Sequence, residues 1–406
     1  MVYVILLILI CWFVASWSDL YLYQKKLANV PLRVHVNGIR GKSSIVRYLA
    51  AILRKNGYQT LAKTTGTAPR IIGFSGEEIS LKRAGLPNIF EQLLLMKYFI
   101  SLKPQAVVVE CMATNPSYAE WLEHKIMRSS IYIMTNVRLD HQDQLGSTLP
   151  EIARSLSGSI PYRSTVITGE ASSEILNIFE SVCDRRHTNL VAPCSTTSLE
   201  FKNIDLSNFS HVPIVENIKV CLAFASLLNI SPDEALTAMA STIPDPGQFS
   251  IKTFFAGGTE IAWANLFAVN DKESFLEWAY VLINVHETFE PVIILNNRKD
   301  RVDRVGVFAD CVKALSVSKV VTMGDCEDMV AAQLGRKISI LKLGNGSLYR
   351  NISGEDLLNR VLSRYKSDRI LLIGAVNIHT DQADRLLDYL KTHKSDPLDS
   401  FSPEYI

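Results

Sequence analysis

The chain has 406 residues, of which 48% are hydrophobic and 20% charged, with 42 basic against 41 acidic side chains. This composition excludes an intrinsically disordered chain and suits a folded protein of two or three domains. The formal net charge of +1 argues against a nucleic-acid-binding protein, which usually carries a clear basic excess. The seven cysteines are scattered without a CxxC pair, which favours reduced thiols in the cytosol over a disulfide framework or a zinc site.

An uncharged, strongly apolar segment opens the sequence, and the first ionised side chain is Asp19. At 1.5 Å per residue, about 18 residues span roughly 26 Å, enough for one pass through a thin bilayer. We therefore predict a membrane anchor over residues 1–22 and a connector over residues 23–32. A cleaved signal peptide and a buried helix are the alternatives. Because Lys25 and Lys26 follow the segment and no basic residue precedes it, the positive-inside rule predicts a single-pass protein of the cell membrane with its body in the cytosol.

Apolar strand-like runs alternate with helical patterns along the rest of the chain. The predicted strands cover residues 33–36, 58–63, 106–110, 130–136, 164–169, 292–296, 319–323, 338–343 and 369–374. The predicted helices cover residues 42–56, 88–101, 116–127, 150–158 and 382–393. This alternation is typical of an α/β protein whose mostly parallel sheets are covered by helices.

Two prolines and a glycine in the segment IPDPGQF (243–249) mark a boundary between two α/β domains. The sequence predicts a central domain over residues 33–245 and a smaller Rossmann-like domain over residues 246–395. A loose tail over residues 396–406 follows.

The segment VNGIRGKSS (36–44) lies between a predicted strand and a predicted helix, where a phosphate-binding loop must lie. Backbone N–H groups at a helix N-terminus attract phosphate oxygens, and Gly38 and Gly41 let the backbone turn and approach closely. Lys42 is predicted to reach the β- and γ-phosphates of ATP, and the Ser43 hydroxyl to bind Mg²⁺. An ordinary strand-to-helix turn is the alternative. The predicted nucleotide-binding residues of this loop are Asn37, Gly38, Arg40, Gly41, Lys42, Ser43 and Ser44.

The short GxxGK[ST] spacing resembles the loop of the Mur ligases and the folylpolyglutamate synthases, which are ATP-dependent amide-bond-forming enzymes. Three further residues fit this resemblance. Glu110 ends the run AVVVE, and His141 lies in a TN…DHxD segment that follows another strand. Both are predicted to lie above the loop at the carboxyl ends of parallel strands and, with Ser43, to hold metal. Asn217 resembles the helix asparagine that contacts adenine. We take Lys42, Glu110 and His141 as the catalytic residues.

Further segments resemble one branch of that superfamily, the membrane-bound poly-γ-glutamate synthase subunits of the PgsB/CapB family. The segments that carry this resemblance, in addition to the loop, are AKTTGT (62–67), ECMATNP (110–116), TNVRLDHQDQLG (135–146), IPDPG (243–247), AVNDKES (268–274), NNRKDRVDR (296–304) and IGAVNIH (373–379). They follow the family order over nearly the whole chain.

The resemblance implies an ADP-forming acid–amino-acid ligase that uses ATP and Mg²⁺ to phosphorylate the γ-carboxyl of a growing poly-γ-glutamate chain. The amine of the next glutamate then attacks the acyl phosphate. Arginines are the expected carboxylate-binding groups because a guanidinium binds a carboxylate in a bidentate manner. The candidate substrate-binding residues are Thr65, Arg70, Asp271, Arg298, Asp300, Arg301, Asp303, Arg304, Asn377 and His379. For the charged run at 298–304, an ordinary solvated loop is the alternative.

The resemblance also implies partners, namely the membrane, the glutamate polymer, and companion membrane subunits of the CapC and CapA type. No nucleic acid is expected, and a homo-oligomer is compatible with the sequence. Two alternative functions stay open: a ligase for another amino acid or a peptidoglycan-type acceptor, and an ATPase that powers polymer export. Two positions depart from the family patterns. Leu156 occupies the place of a carbamylated, metal-binding lysine of the superfamily, and Ser250 the place of an arginine.

Overall fold

The computed structural model describes residues 2–65, 69–81, 88–195, 204, 209, 213–242, 251–269, 271–377 and 380–392. Ser250, His379 and the predicted boundary at 245–246 lie outside these residues. The chain divides into two compact units. The first comprises Met1–Phe209 and Pro213–Pro244, and the second comprises Ser210–Val212 and Asp245–Ile406.

The apolar N-terminal segment forms a long helix, α1 (Val2–Leu27). Within the described residues it is the one helix long and apolar enough to cross a membrane, and none of its most apolar stretch is buried. The helix continues past residue 22, so the predicted connector over residues 23–32 is helical in its first half. The cause is packing, because Tyr23 and Leu27 are buried in a core within the first unit and the Tyr23 hydroxyl donates to the Ile126 carbonyl at 2.7 Å.

The first unit is built on a sheet of eight strands within the described residues. They are β1 (Leu32–Asn37), β2 (Thr60–Thr64), β3 (Arg70–Ile72), β4 (Glu78–Ser80), β5 (Ala106–Glu110), β6 (Ile131–Met134), β7 (Thr165–Thr168) and β8 (Asn189–Val191). Their order is β4-β3-β2-β5-β1-β6-β7-β8. The strands from β2 to β8 in this order are parallel, whereas β3 and β4 pair antiparallel at one edge. The carboxyl ends of the parallel strands therefore lie at one edge of the sheet, where α/β proteins bind ligands.

Helices cover both faces of this sheet. They are α2 (Lys42–Lys55), α3 (Ile89–Ser101), α4 (Pro116–Trp121), α5 (Gln142–Leu145), α6 (Leu149–Ser157), α7 (Ser173–Arg186), α8 (Val215–Leu227) and α9 (Pro232–Ala240), with a π-helical segment at Leu122–Met127. One core joins α2, α8 and α9 to the sheet, and two cores on the opposite face involve α3, the π-helical segment, α6 and α7. Local sequence determines where two of these helices begin. Thr148 and Glu151 form a capping box at the N-terminus of α6, and Ser231 and Glu234 form one at the N-terminus of α9.

The second unit contains a six-stranded sheet within the described residues. Its strands are β9 (Ile251–Ala256), β10 (Thr259–Asn265), β11 (Glu290–Asn297), β12 (Lys319–Gly324), β13 (Ser339–Lys342) and β14 (Arg369–Ala375). Their order is β13-β12-β11-β14-β10-β9, all parallel except β9. The helices are α10 (Lys272–Val285), α11 (Asp303–Ala314), α12 (Glu327–Leu334), α13 (Gly354–Arg364) and α14 (Asp381–Thr392), with a 3₁₀ turn at Lys299–Arg301.

The predicted α/β fold with two mostly parallel sheets is confirmed, and every predicted strand overlaps an observed one. The predicted helix over residues 116–127 changes from α to π geometry at Leu122. The short strands β3, β4 and β8 and the hairpin of β9 and β10 were not predicted. Strands of three residues carry too little pattern to be recognised, since alternation needs at least four positions.

Candidate active site

The phosphate-loop segment turns from the carboxyl end of β1 into the N-terminus of α2. Gly38 has φ +120° and Gly41 has φ +80°, values that glycine adopts without strain. A Cβ atom on Gly38 would lie 2.2 Å from Oγ1 of Thr135, so the loop also has no room for a side chain there. The backbone conformation needed for a close approach to phosphate oxygens is thus built into the loop.

The strand end after β6 braces this loop. The Asn37 backbone carbonyl accepts from the Thr135 N–H at 2.8 Å. The Asn136 side-chain oxygen accepts from the Arg40 N–H at 2.9 Å, and its carbonyl accepts from the Ile39 N–H at 3.1 Å. Thr135 Oγ1 is buried and has no hydrogen-bond partner among the described residues. Thr135 and Asn136 were not among the predicted site residues, although the dipeptide Thr-Asn directly after an apolar strand was the available signal.

Lys42 lies at the first position of α2 and folds back over its own loop. Its ammonium donates to the carbonyl oxygens of Gly38 at 2.7 Å and Ile39 at 3.1 Å. Burial lowers the pKa of Lys42, and the carboxylate of Glu110 acts in the opposite direction. The charged group that was predicted to meet the phosphates is therefore held at the loop.

Glu110 joins three elements at the carboxyl edge of the sheet. Its Oε2 atom accepts a hydrogen bond from the Ser43 hydroxyl at 2.7 Å and another from the Thr65 N–H at 2.7 Å. Glu110 itself is only 3% exposed. The structure thus brings together Ser43, Thr65 and Glu110, which lie far apart in the sequence.

The donor set of Ser43 and Glu110 suits a magnesium ion, because hydroxyl and carboxylate oxygens are the ligands that Mg²⁺ prefers. Mg²⁺ keeps several waters and phosphate oxygens in its shell, so two protein oxygens are sufficient. Within the described part of the chain, no three His, Cys, Asp or Glu side chains form a preassembled metal group. The predicted metal role of His141 stays a prediction.

His141 lies at the start of α5 in a left-handed backbone conformation, with φ +50°. It is partly exposed. Burial lowers the pKa of its imidazole, and the positive charges of Lys42 and Arg40 lower this pKa as well. The imidazole is therefore neutral at neutral pH, the form that binds metal ions and accepts protons. The preceding Asp140 forms an ion pair with Arg40 at 2.9 Å, which ties the His141 segment to the phosphate loop.

Asn217 is buried on α8 directly behind the phosphate loop. A Cβ atom on Gly41 would lie 2.6 Å from its Oδ1 and 2.7 Å from its Nδ2. The predicted nucleotide-binding asparagine therefore contacts the loop that is predicted to bind ATP.

Two further positions of the first unit were singled out in the sequence. Arg70, the weaker candidate for substrate binding, begins β3 and donates from its N–H to Oγ1 of Thr64 at 3.2 Å, next to Thr65. Leu156, at the position of the superfamily lysine, is buried in a hydrophobic core.

The predicted substrate residues of the second unit follow three neighbouring strands, β10, β11 and β14. Arg304 at the start of α11 donates to Oδ1 of Asn377 at 2.8 Å, and Nδ2 of Asn377 donates to the Asn296 carbonyl at 3.0 Å. Arg304 and Asn377 are thus linked at the carboxyl edge of β11 and β14, which pair in parallel. This edge is where an α/β sheet binds its ligands.

The other candidates of the second unit have local roles. Arg298 binds the carboxylate of Asp300 in a bidentate manner at 2.9 and 2.7 Å, and this contact lowers the pKa of Asp300. Arg301 lies in the 3₁₀ turn and is exposed. Asp271 is buried and caps α10 by accepting from the Ser274 N–H at 2.9 Å. For Asp271 the helix cap is the role that the structure displays.

Solved structures of folylpolyglutamate synthases share this fold. A bifunctional folylpolyglutamate synthase/dihydrofolate synthase from Yersinia pestis, complexed with AMPPNP and a manganese ion, has a TM-score of 0.66 at 15% identity, with 92% of each chain covered. The folylpolyglutamate synthase from Thermotoga maritima has a TM-score of 0.62 at 14% identity, covering 93% of this chain and 94% of that chain. The fold of this chain is therefore that of the folylpolyglutamate synthases, the Mur ligase type.

The sequence comparisons give the family within this class. Residues 251–393 match the family described as Poly-gamma-glutamate synthase CapB C-terminal domain. The PGA synthase CapB of Bacillus subtilis (strain 168) is 33% identical over 378 residues, covering 92% of this chain and 93% of that protein. The chain belongs to the CapB family, as predicted. The capsule biosynthesis protein CapB of Bacillus anthracis is 36% identical over 308 residues, which cover 75% of this chain and 65% of that protein.

Proposed function

We propose that this chain activates the γ-carboxyl group of a growing poly-γ-glutamate chain with ATP and joins the next glutamate to it. The observation that carries the proposal is the contact between Ser43 and Glu110 behind a phosphate loop, in a member of the CapB family. ATP transfers its γ-phosphoryl group to the carboxylate, which gives an acyl phosphate and ADP. The amine of the incoming glutamate then displaces phosphate and forms the amide bond.

The residues of the first unit would bind and orient the nucleotide rather than react covalently. The loop N–H groups and Lys42 bind the phosphates, and Asn217 supports the loop from behind. Ser43 and Glu110 would hold the divalent cation, which neutralises charge on the transferring phosphoryl group. His141 is proposed to assist near the same edge of the sheet, where its neutral imidazole is available.

We assign the second unit to carboxylate recognition. Arg304 is the leading candidate because Asn377 orients its guanidinium at the carboxyl edge of the sheet. Arg298 already binds one carboxylate, that of Asp300, in the geometry that a glutamate side chain would use. Arg301, Asp303 and His379 are further candidates on the strength of the sequence.

The membrane placement is also a proposal, which rests on the length and apolarity of α1. With α1 as a single-pass anchor, Lys25 and Lys26 lie on the cytosolic side together with the ligase body. A polyanion does not cross a bilayer beside one helix, because charges in hydrocarbon are costly. We therefore propose companion membrane subunits of the CapC and CapA type as the export path.

The test measures ADP and product in one reaction. The full chain in membranes is incubated with ATP, Mg²⁺ and L- or D-glutamate, and glutamate oligomers are detected by mass spectrometry. Lys42→Ala is the inactive control, and Lys55→Ala, an exposed lysine at the other end of α2, is the matched control. Oligomers that form in step with ADP support the proposal. ADP release without an amide product, with the partner subunits present, would overturn it.

A further inference from the structure

A cavity of about 680 Å³ lies at the amino-terminal edge of the first sheet. Its walls are the last turns of α1, the π-helical segment and the residues that precede β6 and β7. Arg33, near the start of β1, lines it, whereas Gly38 of the phosphate loop follows the other end of that strand. Gly38 is five positions further along the strand direction than Arg33, or about 16 Å away. The cavity is therefore a site apart from the one that binds the nucleotide.

The lining of the cavity is strongly basic, although the whole chain carries a net charge of only +1. Its four cationic residues are Arg33, Lys125, Arg128 and Arg163. None of them forms an ion pair with another described residue.

Neutral oxygens orient two of these guanidinium groups. Arg33 donates to the carbonyls of Val30 at 2.5 Å and Arg128 at 2.9 Å, and Arg128 donates to Oε1 of Gln24 at 3.2 Å. These contacts fix the positions of the cations without neutralising them, and an arginine fork held in this way is suited to a phosphate.

Glu123 is the one carboxylate in the lining, and its charge is already balanced inside the protein. It is fully buried, and Oε2 lies 2.8 Å from Nδ1 of His35. Its other oxygen accepts from the Ser129 N–H at 2.7 Å and the Ser129 hydroxyl at 2.9 Å. Burial opposes protonation of His35, but its interactions with Cys111 and Glu123 prevail and raise its pKa to about 9. Glu123 is thus paired with His35 inside the protein; its charge acts on Arg33 but forms no ion pair with it.

The cavity lies at the depth where lipid headgroups would be. The exposed apolar residues of α1 end at Leu22, and the cavity is lined by Gln24 and Leu27 of α1 and by Ala28, which follows the helix. At 1.5 Å per residue these positions lie about 3 to 9 Å beyond Leu22 along the helix axis. The headgroup layer of a bilayer extends roughly 5 to 8 Å beyond the hydrocarbon on each side. Tyr162, 62% exposed in the lining, supplies the kind of aromatic ring found at this interface.

We propose that this cavity binds the phosphodiester headgroup of an anionic phospholipid, held by Arg33, Lys125, Arg128 and Arg163. The inference rests on the membrane placement of α1 proposed above. A bound headgroup would orient the ligase body on the membrane surface as well as tether it. The position favours a lipid over the glutamate polymer, because the reacting end of the polymer must reach the phosphate loop at the opposite edge of the sheet.

The experiment uses the full chain in a neutral detergent, titrated with dioctanoyl phosphatidylglycerol and, in parallel, with dioctanoyl phosphatidylcholine. Native mass spectrometry gives the stoichiometry and the affinity. The test variant combines Lys125→Gln with Arg163→Asn, because asparagine tolerates the left-handed backbone at Arg163, φ +52°. The matched control combines Lys55→Gln with Lys103→Asn. These exposed cations precede β2 and β5 at the same edge of the sheet but lie outside the cavity, and Lys103 also has φ +52°.

We expect one phosphatidylglycerol per chain, at least tenfold weaker binding of phosphatidylcholine, and at least a tenfold loss of phosphatidylglycerol affinity in the test variant alone. An equal loss in both variants would mean general surface attraction and would overturn the proposal. Displacement of the lipid by poly-γ-glutamate at equal charge concentration would also overturn it. The same holds if inorganic phosphate binds the cavity and phosphatidylglycerol does not. Flotation with vesicles of phosphatidylcholine tests α1 separately, and the ligase assay tests the enzyme, so each failure is recognised by its own measurement.

Discussion

The Ser43 hydroxyl donates a hydrogen bond of 2.7 Å to Oε2 of Glu110, and this contact joins the phosphate loop to the end of β5. It arises from the parallel pairing of β1 and β5, in which Val36 lies opposite Glu110. Two ligands of the kind that Mg²⁺ prefers therefore come together although 67 positions separate them in the sequence.

Replacing Glu110 by glutamine keeps the shape of the side chain and removes its charge. We expect Glu110→Gln to lower ATP turnover about a hundredfold, a loss typical of removing one stabilising group from a transition state. The measurement is ADP release over a range of Mg²⁺ concentrations. Glu174→Gln, an exposed position on α7, is the control. Normal turnover with unchanged Mg²⁺ dependence in folded Glu110→Gln would contradict the assignment.

Gly38→Ala tests the close approach of the loop to Thr135. The new Cβ would meet Thr135 Oγ1 at 2.2 Å in addition to the strain of φ +120°, so we expect ATP affinity to fall at least tenfold. Gly57→Ala is the matched control, because Gly57 has φ +82° with nothing within 4 Å of its Cβ position. That change should cost about 1 kcal/mol of stability and leave ATP affinity unchanged. Equal ATP affinity in both variants would refute the role of the close contact.

Arg304→Gln separates substrate binding from nucleotide binding. Loss of one charge-assisted hydrogen bond corresponds to a roughly ten- to hundredfold change, so we expect KM for the glutamate substrate to rise by that factor. The KM for ATP should stay the same. Arg360→Gln, an exposed arginine that stacks on Tyr349 in the same unit, is the control. A rise in KM for ATP alone would move Arg304 from the carboxylate site to the nucleotide site.

The buried pair of His35 and Glu123 predicts a pH dependence of stability. The pKa of His35 is raised from 6.5 to about 9 in the folded protein. A raised pKa means that the stabilisation is fully present below pH 6.5 and is lost as the pH rises through 9. The loss should be on the order of 3 kcal/mol in denaturant titrations. His35→Gln should remove most of this dependence, and a variant as pH-sensitive as the wild type would show that another group is responsible.

Much of the proposed nucleotide site was recognisable in the sequence because it is local. The residues of VNGIRGKSS form one continuous segment, and a strand, two glycines, a lysine and a helix start are read directly from it. Glu110 was predictable as a strand end, because parallel strands end at one edge of a sheet. The bracing by Thr135 and Asn136 was missed, since their contacts with the loop depend on which strand pairs with β1.

Local sequence was enough to predict the alternation of strands and helices, the apolar N-terminal helix and the strand–loop–helix segment at residues 36–44, because each of these features depends on neighbouring residues. The contacts between distant segments depend on the tertiary fold. The extension of α1 to Leu27 depends on the packing of Tyr23 against the π-helical segment. The basic cavity likewise gathers Arg33, Arg128 and Arg163 from three separate strand beginnings. No periodicity in the sequence predicts that these residues lie together, because their contact depends on the order in which the strands pair.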